Sequence, residues 1–207
     1  MPNEPTIHDT IRAAAMTDRL WRADDLAVPA DAMARMSLGG SLERIIPGVY
    51  LGVEHQRTPL TEAAAWTLKH PGAVTCLLTA AVYNDLTDAF AGGTWLYVLK
   101  GTSPPRSTVV PVNVVQTIPK FAGREFDDLN GITGVQVHGI QVRVTGPDRT
   151  TLDLWRYPRR ISAEHALEAL RRRVRADSFQ VSVFARLARR LGVWSKVEPV
   201  MQGLVLR

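Results

Sequence analysis

The sequence predicts an α+β chain of two parts, a helical head closed by a small hairpin and a mixed α/β segment ending in helices. Three observations carry this. Residues 6–51 read as three short helices followed by two β-prone runs around Pro47-Gly48. Residues 73–144 hold short apolar runs separated by Gly- and Pro-rich turns, as a sheet requires. From Ser162 onward the apolar residues recur at helical spacing.

In the head, Ile7, Ile11, Ala14 and Ala15 share one helical face over residues 6–16, and Asp9 lies near the positive N-terminal end. A second short helix is expected over residues 22–26, before Ala27-Val28-Pro29. A third starts at Pro29 or Ala30, where proline suits a first helical position, and Gly39-Gly40 stops it after Leu38. Pro47-Gly48 then makes the turn of a hairpin over residues 41–51. Three helices and a hairpin in this order spell a winged helix-turn-helix, with the third helix fit for a major groove and the hairpin tip for a backbone. The polar run before Pro59 is a candidate linker, dividing the chain into residues 1–58 and 59–207.

The second part is expected to open with a helix over residues 60–69, stopped by His70-Pro71-Gly72, and a strand over 73–78. Thr79 is placed as the cap of a helix over 80–86. A strand over 94–99 follows Gly92-Gly93, and Pro111 demotes the run 109–115 to an edge or short strand. Around a His138-Gly139 turn, Val137 would face Ile140, Gln136 would face Gln141 and Val135 would face Val142, so like meets like. His138 reads as a turn residue. A short helix over 148–155 packs Leu152 and Trp155. Ser162 caps a helix burying Ala166, Leu167, Leu170 and Val174, with Arg171, Arg172, Arg173 and Arg175 outward. Ser178 is placed as the cap of the next helix, which buries Val181, Phe184, Leu187 and Leu191 and ends at Gly192, with Arg186, Arg189 and Arg190 outside. A last helix over 195–204 contains Pro199.

The chain has 207 residues and a formal net charge of +5, and 45% hydrophobic content excludes global disorder. The charge is uneven. Residues 1–58 carry six basic and eight acidic side chains, residues 59–155 seven and eight, and residues 156–207 twelve and four. Arginines number 21 against four lysines, and arginine forks over phosphate better than lysine. The excess reads either as a solvated surface with snorkelling side chains or as a phosphate-facing patch. The single cysteine, Cys76, sits in an apolar run and reads as core, in keeping with a reducing compartment. No run of about 18 apolar residues occurs, and the N-terminus lacks a basic and then apolar leader pattern. A cytoplasmic protein without a membrane partner is the expectation.

No phosphate-binding, dinucleotide or nucleophile-elbow glycine motif occurs, nor a His/Cys cluster at metal spacing, so no catalytic residue, metal or cofactor is assigned. Gly40-Ser41 is not followed by Asp-x-Asp, which a nucleotidyltransferase needs to hold Mg²⁺. The adjacent pairs Asp24-Asp25 and Asp127-Asp128 diverge on any regular element and make poor metal clamps. Asp148 and Asp153 read as a helix cap and a first-turn charge. The chain is expected not to be an enzyme.

Three stretches, taken in order and spacing over about residues 6–204, give the chain a family likeness. One runs from Arg22-Ala23-Asp24-Asp25-Leu26 through a short helix to Gly40-Ser41-Leu42-Glu43-Arg44-Ile45-Ile46-Pro47-Gly48-Val49-Tyr50. The second is Gly72–Thr87 with Trp95 beyond it. The third is Gly139–Leu154, followed by the helix with Glu164, Ala166, Leu167, Glu168, Ala169, Leu170 and Arg171. In these the chain resembles the AbiEi-like antitoxins of type IV toxin–antitoxin (abortive infection) systems. The resemblance implies a bacterial transcriptional regulator with an N-terminal DNA-binding domain and a C-terminal antitoxin domain. It would bind operator repeats in its own promoter as a repressor and counteract a nucleotidyltransferase toxin without needing to touch it.

On this reading Arg22, Arg35, Ser37 and Arg44 contact double-stranded DNA, and Arg171, Arg172, Arg175, Arg189 and Arg190 add phosphate contacts. The expected recognition helix holds Asp31 and one basic residue, Arg35, within a head of net −2, which lowers its affinity for phosphate. Either the C-terminal arginines share the DNA-facing surface, or they grip another partner, a toxin or tRNA, as a protein- or RNA-binding module. A divergent nuclease relying on Asp148 or Asp153 is the third reading.

Overall fold

The computed structural model describes residues 5–122 and 131–205, and so leaves Asp127-Asp128 outside the described residues. Among these residues the chain is mixed α+β, with eight α-helices and two sheets. It divides into two compact units. The first comprises residues 1–71, 105–111 and 135–142, and the second residues 72–104, 112–134 and 143–207.

The first unit opens with α1 (Ile7–Ala15), whose start is a capping box: Thr6 Oγ1 accepts from the Asp9 N–H, and the Asp9 carboxylate accepts from the Thr6 N–H. The helix expected over 22–26 is only a 3₁₀ turn, Asp24–Leu26. The Asp25 carboxylate holds the Arg22 backbone N–H, and Ala27 turns left-handed (φ 51°), so the helix cannot propagate either way. Helix α2 (Ala30–Leu38) starts behind Pro29 and ends at Gly39. Strands β1 (Leu42–Ile46) and β2 (Val49–Gly52) form an antiparallel hairpin in which Arg44 faces Tyr50. Trp21 adds a single antiparallel bridge to Tyr50, with backbone hydrogen bonds of 2.9 Å in both directions. Ile11, Ala15, Ala32, Met33, Met36, Leu42 and Tyr50 form the core between α1, α2 and the hairpin. Gly52 is required there, because a Cβ on it would lie 1.9 Å from the Ala15 carbonyl oxygen. Helix α3 (Thr61–Lys69) packs against β1.

In the second unit, β3 (Val74–Thr75), β4 (Thr94–Leu99) and β5 (Val112–Thr117) join β6 (Ile132–Val137) and β7 (Ile140–Thr145) in a sheet of order β5-β4-β3-β7-β6. The hairpin tip, residues 135–142, belongs to the first unit. Gln136 and Gln141 meet at 2.5 Å across it, the pairing the sequence predicts. The strand expected over 73–78 is cut short, since α4 already runs from Leu77 to Tyr83. Thr79 lies inside α4 rather than capping a helix, because its hydroxyl accepts the Trp95 N–H at 2.9 Å and ties α4 to the start of β4. As an edge strand β5 agrees with Pro111 just before it, and Arg160 Nη1 caps its exposed side by donating to the Val114 carbonyl at 3.0 Å.

Helices α5 (Pro147–Arg156), α6 (Ala163–Arg175), α7 (Val181–Leu191) and α8 (Trp194–Val205) complete the unit. Ser162 caps α6 as expected, accepting from the His165 N–H. Ser178 does not cap α7; its hydroxyl is taken by Arg173 Nη1 at 3.1 Å, and Gln180 holds the N-cap position without a side-chain bond. One core gathers Val74, Cys76, Tyr97, Val115, Leu154 and Ala169, and a second gathers Leu152, Leu170, Phe184, Leu191 and Val197. Cys76 is core as expected. Burial, with the Asp153 charge nearby, pushes its thiol well above the ordinary range and keeps it protonated.

Candidate nucleic-acid interface

The basic side chains of the head differ in how free they are. Arg22 spends its charge locally, with Nη2 2.7 Å and Nε 3.2 Å from the two carboxylate oxygens of Asp25. The bond to Arg22 in turn holds the Asp25 carboxyl below its usual range. Arg35 is paired with Asp31 one turn away on α2, and both are well exposed. Ser37 is half-buried on the same helix. Arg44 is exposed on β1, and as the register partner of Tyr50 it stands on the same face of the hairpin.

Two clefts border the Pro47-Gly48 turn. One is lined by Arg22, Asp24, Ala30, Gly48, Tyr50 and Lys69. The other is lined by Pro47, Arg106, Ser107, Thr108 and Val109. Neither Lys69 nor Arg106 was expected here, because both lie beyond residue 58 and no local pattern links them to the hairpin.

The arginines of the last helices also divide. Arg171 and Arg175 are exposed on α6. Arg172 is held by Glu168 at 2.7 Å, by Asp85 at 3.4 Å and by Asp88, so three carboxylates surround the charge expected to meet phosphate. Arg173 corrects the expected outward set. It is buried, with Nε 2.6 Å from Asp148 and Nη2 3.2 Å from the Ser178 carbonyl. Its position three residues after Leu170, four after Ala169 and seven after Ala166 places it on the inward stripe, a signal the sequence already carries. On α7, Arg189 stacks 4.8 Å over the Trp194 ring, while Arg186 and Arg190 line a cleft of about 470 Å³ with Gly131, Thr133, Pro147 and Leu187. A neighbouring cleft lined by Arg172, Arg173 and Arg175 also reaches Pro147. The set Arg175, Arg186 and Arg190 therefore borders the start of α5, and Arg186 joins the arginines named from sequence.

The acidic residues considered for a nuclease are engaged elsewhere. Asp148, expected as a helix cap, is instead a first-turn charge on α5, since Gly146 holds the N-cap position, and it also binds Arg173. Asp153 is not near a helix start. It lies fully buried within α5, 2.7 Å from both Arg149 Nε and Arg156 Nη1. Among the described residues no group of three His, Cys, Asp or Glu side chains is placed to hold a metal ion. No helix of the described residues is long and apolar enough to cross a membrane.

His138 is more than a turn residue. Its ring is buried, Nε2 lies 2.9 Å from Thr61 Oγ1, and Nδ1 bonds the Asp18 carboxylate. The order carboxylate–imidazole–hydroxyl has the form of a nucleophilic triad, but Thr61 is 1% exposed and its hydroxyl is shielded from solvent. The relay joins the start of α3 and the segment after α1 to the hairpin tip.

No protein-family model matches the chain, and no curated protein matches it. In fold it is similar to the RV2827C protein from Mycobacterium tuberculosis, whose crystal structure aligns with a TM-score of 0.53 at 13% sequence identity, covering 89% of this chain and 76% of that one.

Proposed function

We propose that the chain is a DNA-binding antitoxin of the AbiEi type, which represses its own operon and counteracts a nucleotidyltransferase toxin encoded beside it. The observation that carries the DNA-binding part is the order of the head. Helix α1, the Trp21 bridge, the 3₁₀ turn, helix α2 and the β1–β2 hairpin follow one another as in a winged helix-turn-helix, with α2 as the reading helix and the Pro47-Gly48 turn as the wing tip. Arg35 and Arg44 are exposed on these two elements, in support of contacts to phosphate. The antitoxin part rests on the sequence resemblance.

The test is a polarisation titration against a duplex from the region upstream of the protein's own gene and against a scrambled duplex of equal length. Tighter, salt-sensitive binding to the first is expected. Equal affinity for both ends the operator claim. Rescue of cells expressing the neighbouring gene tests the antitoxin claim.

A second reading is favoured by the exposed Arg171, Arg175, Arg186 and Arg189 of α6 and α7. On it these helices grip an acidic toxin surface or tRNA. Co-purification of the neighbouring gene product, lost when these arginines become glutamine, separates it from the first.

A further inference from the structure

The winged-helix reading draws its contacts from the first 58 residues, which are net acidic. The structure brings two more cations to the wing from outside that stretch. Lys69, the last residue of α3, is exposed and donates from Nζ to the Pro47 carbonyl at 3.1 Å, so its ammonium is anchored at the turn. Arg106 belongs to a short segment that the chain returns to the first unit from between β4 and β5, and it lines the cleft on Pro47. Neither forms an ion pair among the described residues, whereas Arg22 is committed to Asp25, Arg35 to Asp31 and Arg57 to Glu43. Near the wing tip, then, exposed Arg44 of β1 is joined by two further cations free of a carboxylate among the described residues, both supplied later in the chain.

The turn between them is shaped for a close approach. Gly48 has φ +79°, the left-handed value that the position after proline takes in a tight turn, and it is exposed. A Cβ placed on it would meet nothing within 4 Å, so the space beyond the turn is open. Acidic Asp24 lies in the cleft with Lys69, and none of the side chains lining the cleft with Arg106 is acidic.

We propose that Lys69 and Arg106 are phosphate-contacting residues of a composite wing, gripping the backbone of duplex DNA around the Pro47-Gly48 turn. This rests on the winged-helix reading. The charge of the head alone understates its affinity, because the wing borrows a cation from the end of α3 and another from the β4–β5 connection. The contacts carry no sequence information, so they strengthen binding to every duplex alike.

The experiment measures binding of the full chain to the upstream duplex and to a scrambled duplex over a range of salt concentrations. Lys69→Gln, Arg106→Gln and the double variant are compared with Lys100→Gln, a charge change in the second unit. Each removed phosphate contact is expected to lower the slope of log K against log salt by about 0.9, and the double variant by about 1.8. Both duplexes should lose affinity by the same factor, with Lys100→Gln at the wild-type slope. A double variant with the wild-type slope, in a protein that binds DNA, overturns the composite wing and leaves the winged-helix reading standing. So does weaker binding at an unchanged slope, which marks a structural effect. If the wild-type chain binds neither duplex, the reading itself fails and the composite wing with it.

Discussion

Arg149 and Asp153 are both fully buried, and Arg149 Nε donates to Asp153 Oδ2 at 2.7 Å. Arg156 reaches the other carboxylate oxygen at the same distance. Burial works against the Arg156 charge, but the Asp153 carboxylate outweighs it and raises its pKa. Arg149 Nη2 also donates to the Phe121 carbonyl, and the Arg156 guanidinium stacks 4.3 Å over the Phe121 ring. One buried carboxylate thus anchors two cations that hold the segment after β5.

Asp153→Asn is expected to cost about 3–5 kcal/mol, since it leaves the fully buried Arg149 and the half-buried Arg156 guanidinium without that carboxylate. Urea denaturation of the wild type and variant measures it. A loss below about 1 kcal/mol would show that the cluster does not depend on Asp153.

Arg143 presents the opposite case. It is 7% exposed, its Nε and Nη2 have no hydrogen-bond partner among the described residues, and burial lowers its pKa. At neutral pH the group is charged in both folded and unfolded chains, so its desolvation opposes folding there in full. The opposition fades only as alkaline pH approaches the lowered pKa. Arg143→Met keeps the apolar stem and removes the charge, and it is expected to stabilise the fold by about 1 kcal/mol or more. A thermal midpoint lower than that of the wild type contradicts this.

The Asp18–His138–Thr61 relay should behave as a structural pin. His138→Ala breaks two hydrogen bonds at a buried site and leaves the Thr61 hydroxyl without its imidazole, for a cost of about 1–3 kcal/mol. Asp18→Asn should cost less, because the Asp18 side chain is 63% exposed and water replaces the lost partner. Denaturant midpoints of the two variants should fall in that order.

Asp31→Asn tests the proposed reading helix, α2, by gain rather than loss. Asp31 neutralises Arg35 in an exposed pair one turn apart on α2, and such a pair is worth about 0.2–1 kcal/mol. Releasing Arg35 toward phosphate should tighten binding to duplex DNA by up to about fivefold in a polarisation titration. Unchanged affinity, in a protein that does bind DNA, would place α2 away from the backbone.

Most elements of the fold are legible in the residues, because their signals are local. Thr6 and Asp9 write a capping box, Gly39 a helix end, Pro47-Gly48 a turn, and the Val135–Val142 run its own register. The inward place of Arg173 is also local, since helical spacing from Ala166 and Ala169 dictates it. What the sequence by itself could not decide is which charges meet. Arg172 finds Asp85 and Asp88 more than 80 residues away, His138 finds Asp18 across 120, and Lys69 and Arg106 arrive at a turn belonging to another segment. Coulomb interactions and hydrogen bonds act over a few ångströms of space, whatever the separation along the chain. Local periodicity therefore determines the helices and strands, while only the tertiary fold decides which arginines are spent on carboxylates and which remain free for a partner.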